Sequence, residues 1–463
     1  MAHRSRLALV VVATAIMLCG SASASASAEP TRIARNAQNA VDAIAADGTR
    51  LAWQGVAASG ADSEIFLADI AQPITQSIGP CPQTNPCQLT NDAADDVLPL
   101  RSADFAVWQR KDLIPLDRSI WFSDGTTTTK VPGSARPIYE GAFVSLSGSR
   151  LVWRGTDGAA AAGIFLADLS QPLATGATSL CPATNPCRIA TGSAPASDDS
   201  GPVIDGARVV WSTRPTANDA TEIQLFDATR PAEATVLACP LSNPCRLTAN
   251  DRGDGAPVVS GALIAWPQCD ADSCVFVAPD RIVFNDGAEN TEVVGDWAGQ
   301  PLATDGTRIA WTPNLGDVTL LDTSRPIDVA ATAFPMACPL GNPCRLDATG
   351  AVQMAGGWLL SSDRSDVPGP IALRLFDLRR PLDPQPFSAC PGTNPCVLRE
   401  GVEDQTALSA AAAAWFECPP EAGGCPQPYG GSFDLYAVPE PSGAGAAAIA
   451  VLALAWGRRR SSI

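Results

Sequence analysis

Two kinds of reactive side chain recur along this 463-residue chain: carboxylates and cysteines. Acids gather in short links that lead into apolar stretches: Asn91-Asp92 with Asp95 and Asp96, Asp198-Asp199, Asn250-Asp251 with Asp254, and Asn285-Asp286. Converging carboxylates can ligate calcium, bind a cationic or hydroxyl-rich ligand, or supply the acid and base of glycoside hydrolysis. That last chemistry needs two carboxyl groups about 5–10 Å apart. Asp and Asn also make loop turns by themselves, and no link has the spaced ligands of a calcium loop. Asp95, Asp96, Asp199 and Asp254 are the acids expected near one mouth of a central channel. No catalytic residue, cofactor site or metal site can be named from sequence.

Of fifteen cysteines, Cys19 stands apart and fourteen form close pairs. Five pairs share the pattern Cys-Pro-x-x-Asn-Pro-Cys: Cys81/Cys87, Cys181/Cys187, Cys239/Cys245, Cys338/Cys344 and Cys390/Cys396. Cys269/Cys274 and Cys418/Cys425 are variants. Zinc ligand pairs usually sit two to four residues apart with a second pair or histidines nearby. The pairs here are solitary and mostly more widely spaced, so disulfides are expected. Each small loop would contribute about 2–3 kcal/mol by restricting the unfolded chain.

Other chemistries are excluded by composition. The only histidine, His3, lies in the leader described below, so a Ser-His-Asp or Cys-His site cannot be assembled without it. No Gly-rich phosphate loop opens a helix. The formal charge of −17 repels phosphate backbones, which argues against nucleic-acid binding.

The elements that must position these groups are set by a repeated phrase. Asp47-Gly48-Thr49-Arg50-Leu51-Ala52-Trp53 returns as Ser147 to Trp153, Asp205 to Trp211, Ser260 to Trp266 and Asp305 to Trp311. Looser copies end at Trp108, Trp358 and Trp415, so the eight tryptophans lie 45 to 58 residues apart. A period near 50 is that of propeller blades. Each unit adds an apolar run ending in an acid (Ile65 to Asp69, Ile164 to Asp168, Leu225 to Asp227), a cysteine-bounded loop, and a short segment such as Cys245-Arg246-Leu247-Thr248. Four short strands per unit predict an all-β, eight-bladed β-propeller, or a seven-bladed one if the unit at Trp108 or Trp358 is irregular. The cysteine loops would join third and fourth strands, and the tryptophans would pack between blades. Trp121 and Trp297, outside the register, are the candidates for exposed aromatic contact. The last unit lacks an outer strand, and Thr31 to Asn36 lines up with Cys245 to Asn250. The N-terminal strand is therefore expected to complete the last blade and cover its edge, with Val41 to Ala45 as the first inner strand.

The ends are read separately. Residues 1–28 form a secretory signal helix: Arg4 and Arg6, the apolar Leu7 to Leu18, and the cleavage site Ala26-Ser27-Ala28. The propeller occupies 29–437. Residues 438–463 hold Pro439-Glu440-Pro441, a short hydrophobic helix from Gly443 to Gly457, and Arg458-Arg459-Arg460. This tail resembles the PEP-CTERM sorting signal of Gram-negative bacteria. The resemblance implies recognition by an exosortase-type processing enzyme, cleavage near Pro439 to Pro441, and delivery to the cell surface or extracellular matrix. Membrane contact would then be limited to the C-terminal segment before processing. A permanent inner-membrane anchor facing the periplasm is the alternative.

The blade phrase resembles the TolB-type propeller repeat over residues 31–437, a likeness that implies fold without activity. The expected function is a non-enzymatic, disulfide-braced ring binding a surface protein or polysaccharide. A carboxylate-dependent carbohydrate-active hydrolase and a periplasmic assembly factor are the alternatives.

Overall fold

The computed structural model describes residues 30–38, 44–56, 62–102, 104–111, 117–134, 136–137, 144–156, 162–175, 178–191, 201–214, 219–272, 274, 280–294, 302–313, 316–328, 336–363, 371–383, 388–390, 393–417 and 432–439. Both the leader and the residues following Pro439 lie outside this set, as do Cys418, Cys425, Asp199 and Trp297. No helix among the described residues is long and apolar enough to cross a membrane.

Each tryptophan phrase folds into a tight antiparallel hairpin, and the apolar run after it adds a third strand. In the fourth blade Val203–Asp205 pairs with Arg208–Thr213, which pairs with Glu222–Asp227, which pairs with Cys245–Arg246. The hairpin turns at Gly206 with φ 59°, a left-handed conformation that glycine adopts without a Cβ penalty. Eight such sheets follow one another, with second strands Arg50–Val56, Phe105–Lys111, Arg150–Thr156, Arg208–Thr213, Leu263–Cys269, Arg308–Trp311, Trp358–Asp363 and Ala412–Glu417. The units at Trp108 and Trp358 are complete blades, so the ring has eight and not seven. Each inner strand neighbours the next, and Ile44–Asp47 neighbours the segment Cys396–Leu408, which closes the circle.

Closure depends on the first described strand. Thr31–Gln38 lies antiparallel to Ser432–Pro439, with Thr31 opposite Ala437 and Gln38 opposite Ser432. It is the outer strand of the eighth blade, whose other strands are the end of Cys396–Leu408, then Ala412–Glu417 and Ser432–Pro439. The strand Cys396–Leu408 serves two blades, bending at a register shift between Val402 and Thr406. Ile44 to Asp47 forms the described part of the first inner strand.

The tryptophans are buried, and several pack their rings toward the preceding blade, whereas Trp358 stands opposite Asp377, where other blades place the phrase's arginine, and packs with Trp415 and Val438 of the following blade. Trp153 sits with Phe105 and Phe122 of the second blade, Trp211 with Val152 and Ile164 of the third, and Trp53 with Phe416 and Leu435 of the eighth. The phrase's arginine has its own task. Arg150 donates to the carbonyl of Gly206 and Arg208 to that of Ala262, each in the next blade's hairpin, while the Ser409 hydroxyl of blade eight donates to Gly48 of blade one. One face of the ring is therefore laced hairpin to hairpin.

Among the described residues six disulfides are formed: Cys81–Cys87, Cys181–Cys187, Cys239–Cys245, Cys269–Cys274, Cys338–Cys344 and Cys390–Cys396. Bridges of this kind belong to an oxidising compartment. Five of them fold the arm between third and fourth strands back onto the sheet. Cys269–Cys274 departs from the expected placement, because Cys269 ends the second strand of blade five and the bridge lies before the third strand. The fourth strand there, Asn290–Val294, follows a plain turn at Gly287.

The recurring asparagine of these arms is a hub. Asn243 accepts from the amide of Asp227 (2.8 Å) and donates to the carbonyls of Asp227, Arg230 and Pro231. Asn85, Asn185, Asn342 and Asn394 make the same four contacts. Asn243→Ala would leave buried backbone groups without partners, and a loss of about 2–4 kcal/mol in unfolding free energy is expected in urea titration. A loss below about 1 kcal/mol would show that the disulfide alone holds the arm.

Candidate functional site

The acids picked out by spacing are not gathered at one channel mouth: Asp95 and Asp96 lie at one blade junction and Asp254 at another, and Asp199 lies outside the described residues. Asp96 and Asp254 are both 0% exposed, so the expectation that they line an opening is corrected. Asp95 and Asp96 open the inner strand Asp95–Ser102, and Asp254 ends the short strand Gly253–Asp254, each paired with the second strand of its blade. Asp95 stays half-buried beside Asp96, accepting from the Ser63 amide (3.2 Å) and lying 3.7 Å from the Lys111 ammonium.

At the junction of blades one and two, Arg110 grips Asp96 with both arms of its guanidinium, Nε to Oδ1 and Nη2 to Oδ2, each at 2.8 Å. Its Nη2 also meets Asp92 at 2.8 Å. Glu64, at the start of the third strand of blade one, accepts from the Thr90 hydroxyl (2.5 Å) and the Asp92 amide (3.1 Å). Burial pushes both the Glu64 and Asp96 carboxyls above the usual range. Trp121, expected to offer its face outward, instead lies under Arg110, whose Cζ is 4.4 Å from the ring centroid. Its indole donates to Ser119 (3.0 Å).

The junction of blades four and five repeats the arrangement. Glu222 accepts from the Asn250 amide (3.0 Å), and Thr248 accepts from Ile223 (2.8 Å). Asp254 Oδ1 accepts from the indole of Trp266 (2.8 Å) and from Gln268 Nε2 (2.7 Å). Burial raises Glu222 and Asp254 as well. Raised carboxyls are what a glycosidase acid requires, but a walled-in pair cannot meet a glycosidic oxygen. No group of three Asp, Glu, His or Cys side chains converges to hold a metal among the described residues.

Asp124, which no sequence argument singled out, caps the hairpin arm of blade two, which has no cysteines. The amides of Thr127 and Thr126 donate to it and hold its carboxyl down at about 2.

Two surface features remain. A groove of ≈ 410 Å³ runs beside the N-terminal strand, lined by Thr31 to Ala34 and by Ile74, Thr75, Gln76 and Ile78 of the first blade. The exposed large apolar side chains among the described residues are Ile78, Leu237, Leu241, Met336 and Leu340, and every one belongs to a disulfide arm. Leu241 (71% exposed) and Leu340 (74%) occupy the same place in the arms of blades four and six, between proline and asparagine. The signal for them was present in the variable positions of Cys-Pro-x-x-Asn-Pro-Cys, which read as neutral spacing.

The class so defined is a disulfide-bearing eight-bladed β-propeller. Among solved structures, the chain is similar to the β-propeller domain of the Trilobed protease from Pyrococcus furiosus (8% identity, 89% of this chain and 95% of that one, TM-score 0.42). It is also similar to BamB from Moraxella catarrhalis (11%, 88% and 99%, TM-score 0.42) and to a Mycobacterium tuberculosis puromycin-hydrolyzing peptidase (12%, 87% and 63%, TM-score 0.45). Likeness at this level says nothing about activity. No protein-family model matches the chain, and no curated protein does.

Proposed function

We propose that the protein is an exported, non-enzymatic ring that binds a protein or polysaccharide at the cell surface or in the extracellular matrix. The observation that carries this is the set of apolar side chains projecting from the disulfide arms. Exposed leucines on arms pinned by a bridge and an asparagine hub lose little freedom on docking, which favours binding. The two best-developed carboxylate pairs, by contrast, serve the blade junctions. In this reading residues 1–28 direct export, and the segment 438–463 is a PEP-CTERM-like signal processed by an exosortase. The last strand ends at Pro439, so cleavage at Pro439 to Pro441 would release a complete ring. In this reading the blade phrase is a TolB-type repeat.

Two measurements test the proposal. Intact mass of the released protein should show loss of both 1–28 and the residues beyond the Pro439-Glu440-Pro441 motif. Matrix polysaccharide or surface protein should retain the purified ring without release of reducing ends. Leu241→Asp with Leu340→Asp should weaken retention about tenfold or more while leaving the unfolding midpoint in place. Released reducing ends, or retention untouched by the double variant, would overturn it.

A further inference from the structure

The two acid junctions differ at one decisive position. Asp96 pairs across the sheet with Arg110, and Asp254 pairs across with Gln268. The surroundings correspond point by point: Glu64 with Glu222, Thr90 with Thr248, and the Asp92 amide with the Asn250 amide. At the first junction a guanidinium lies among the carboxylates. At the second a neutral amide stands in its place, and the same two buried acids have no cation bonded to them among the described residues.

The shortfall is visible atom by atom. Asp254 Oδ2, Glu222 Oε2 and Gln268 Oε1 are all buried and have no donor in hydrogen-bonding geometry. Gln268 gives its amide nitrogen to Asp254 Oδ1, which leaves Oδ2 without a donor. The Thr248 hydroxyl lies beside both carboxylates and has one proton for the two. Arg246 acts on Glu222 through space, as the weakest of the influences on it, without a hydrogen bond. Orphaned buried acceptors of this kind each cost several kcal/mol unless something positive or protonated meets them.

We propose that the junction of blades four and five binds a hard divalent cation, calcium in an oxidising extracytoplasmic setting, between Glu222 and Asp254. The ligands are carboxylate and amide oxygens, the donor type that calcium selects. The ion does for Asp254 what Arg110 does for Asp96: it meets the buried carboxylate with positive charge, and through Glu222 it joins two adjacent blades. This is a structural site in the wall of the ring, independent of the surface that binds a partner.

Terbium is a suitable probe, because the indole of Trp266 touches Asp254 and can sensitise its luminescence. Chelator-treated full-length protein should give saturable terbium luminescence of one equivalent. Calcium should displace it with an affinity in the range of about 10⁻⁴–10⁻³ M or tighter, as in exported modules. Gln268→Arg supplies the missing guanidinium and should weaken terbium binding about tenfold or more without loss of the unfolding midpoint. Asp254→Asn should weaken it likewise, and Arg110→Gln should create a second, weaker equivalent. If wild type shows no saturable luminescence and no calcium-dependent shift in midpoint, a shared proton occupies the junction and the proposal fails. Binding that survives in Gln268→Arg places the ion elsewhere and also overturns it.

Discussion

Replacing Arg110 with methionine should lower the unfolding free energy by about 3–5 kcal/mol, the usual consequence of removing one partner from a buried ion pair. Asp96 has no exposed surface, and its two strongest bonds come from the two arms of that single guanidinium. Taking the cation away leaves a carboxylate already pushed toward its neutral form by burial, with Asp92 and Glu64 adding repulsion. The bond from Arg110 to the half-exposed Asp92 matters less, since exposed pairs contribute roughly 0–1 kcal/mol. Arg110→Lys keeps the charge and loses the fork, so an intermediate loss is expected. Combining Arg110→Met with Asp96→Leu should recover most of the stability, because the penalty lies in the stranded charge more than in the missing attraction. Urea midpoints of the four proteins check this. A single-variant loss under about 1 kcal/mol would mean that water reaches the junction.

Ile33→Ala should cost about 2–5 kcal/mol, although the residue sits near the start of the described residues. Ile33 is buried in a cluster with Phe416 and Leu435 of the last blade and Leu51 and Trp53 of the first. Its contacts are therefore shared between the two ends of the ring. Truncation removes its packing and leaves a void at the place where closure is achieved. If the N-terminal segment merely trailed from the molecule, the same change would fall within about 0.5 kcal/mol of wild type. Calorimetric or denaturant midpoints distinguish these outcomes. Arg32, next in line, faces the groove beside Ile74 and Ile78, so a change there should be far milder than at Ile33.

Much of this architecture can be read from the sequence because it rests on local rules repeated eight times. The Asp-Gly turn, the tryptophan strand and the apolar run ending in an acid each specify one strand or hairpin. The missing outer strand of the final unit was matched by Thr31 to Asn36 in the same way. Repetition also exposes the cysteine pairs, although blade five moves its bridge ahead of the third strand. What sequence could not reveal depends on register across strands. An Asp in a polar link looks like a solvated turn, and only the pairing of Asp96 with Arg110 and of Asp254 with Gln268 shows it to be buried. The phrase's arginine read as part of a hairpin signature, while its role of reaching the next blade needs the closed ring. The asparagine of the disulfide arm looked like a turn former. Its four backbone contacts run to the turn after the third strand, at least a dozen residues back in sequence, where no local rule points.

The central claim is a ring whose last sheet is completed by the first described strand. Hydrogen exchange of the amides from Thr31 to Gln38 tests it most directly. The account predicts that the amides bonded to Ser432–Pro439 exchange as slowly as those of Ser432–Pro439 itself, and that both sets open together as denaturant is added. Exchange of Thr31 to Gln38 at the rate of an unstructured peptide, with Ser432–Pro439 still protected, would contradict it.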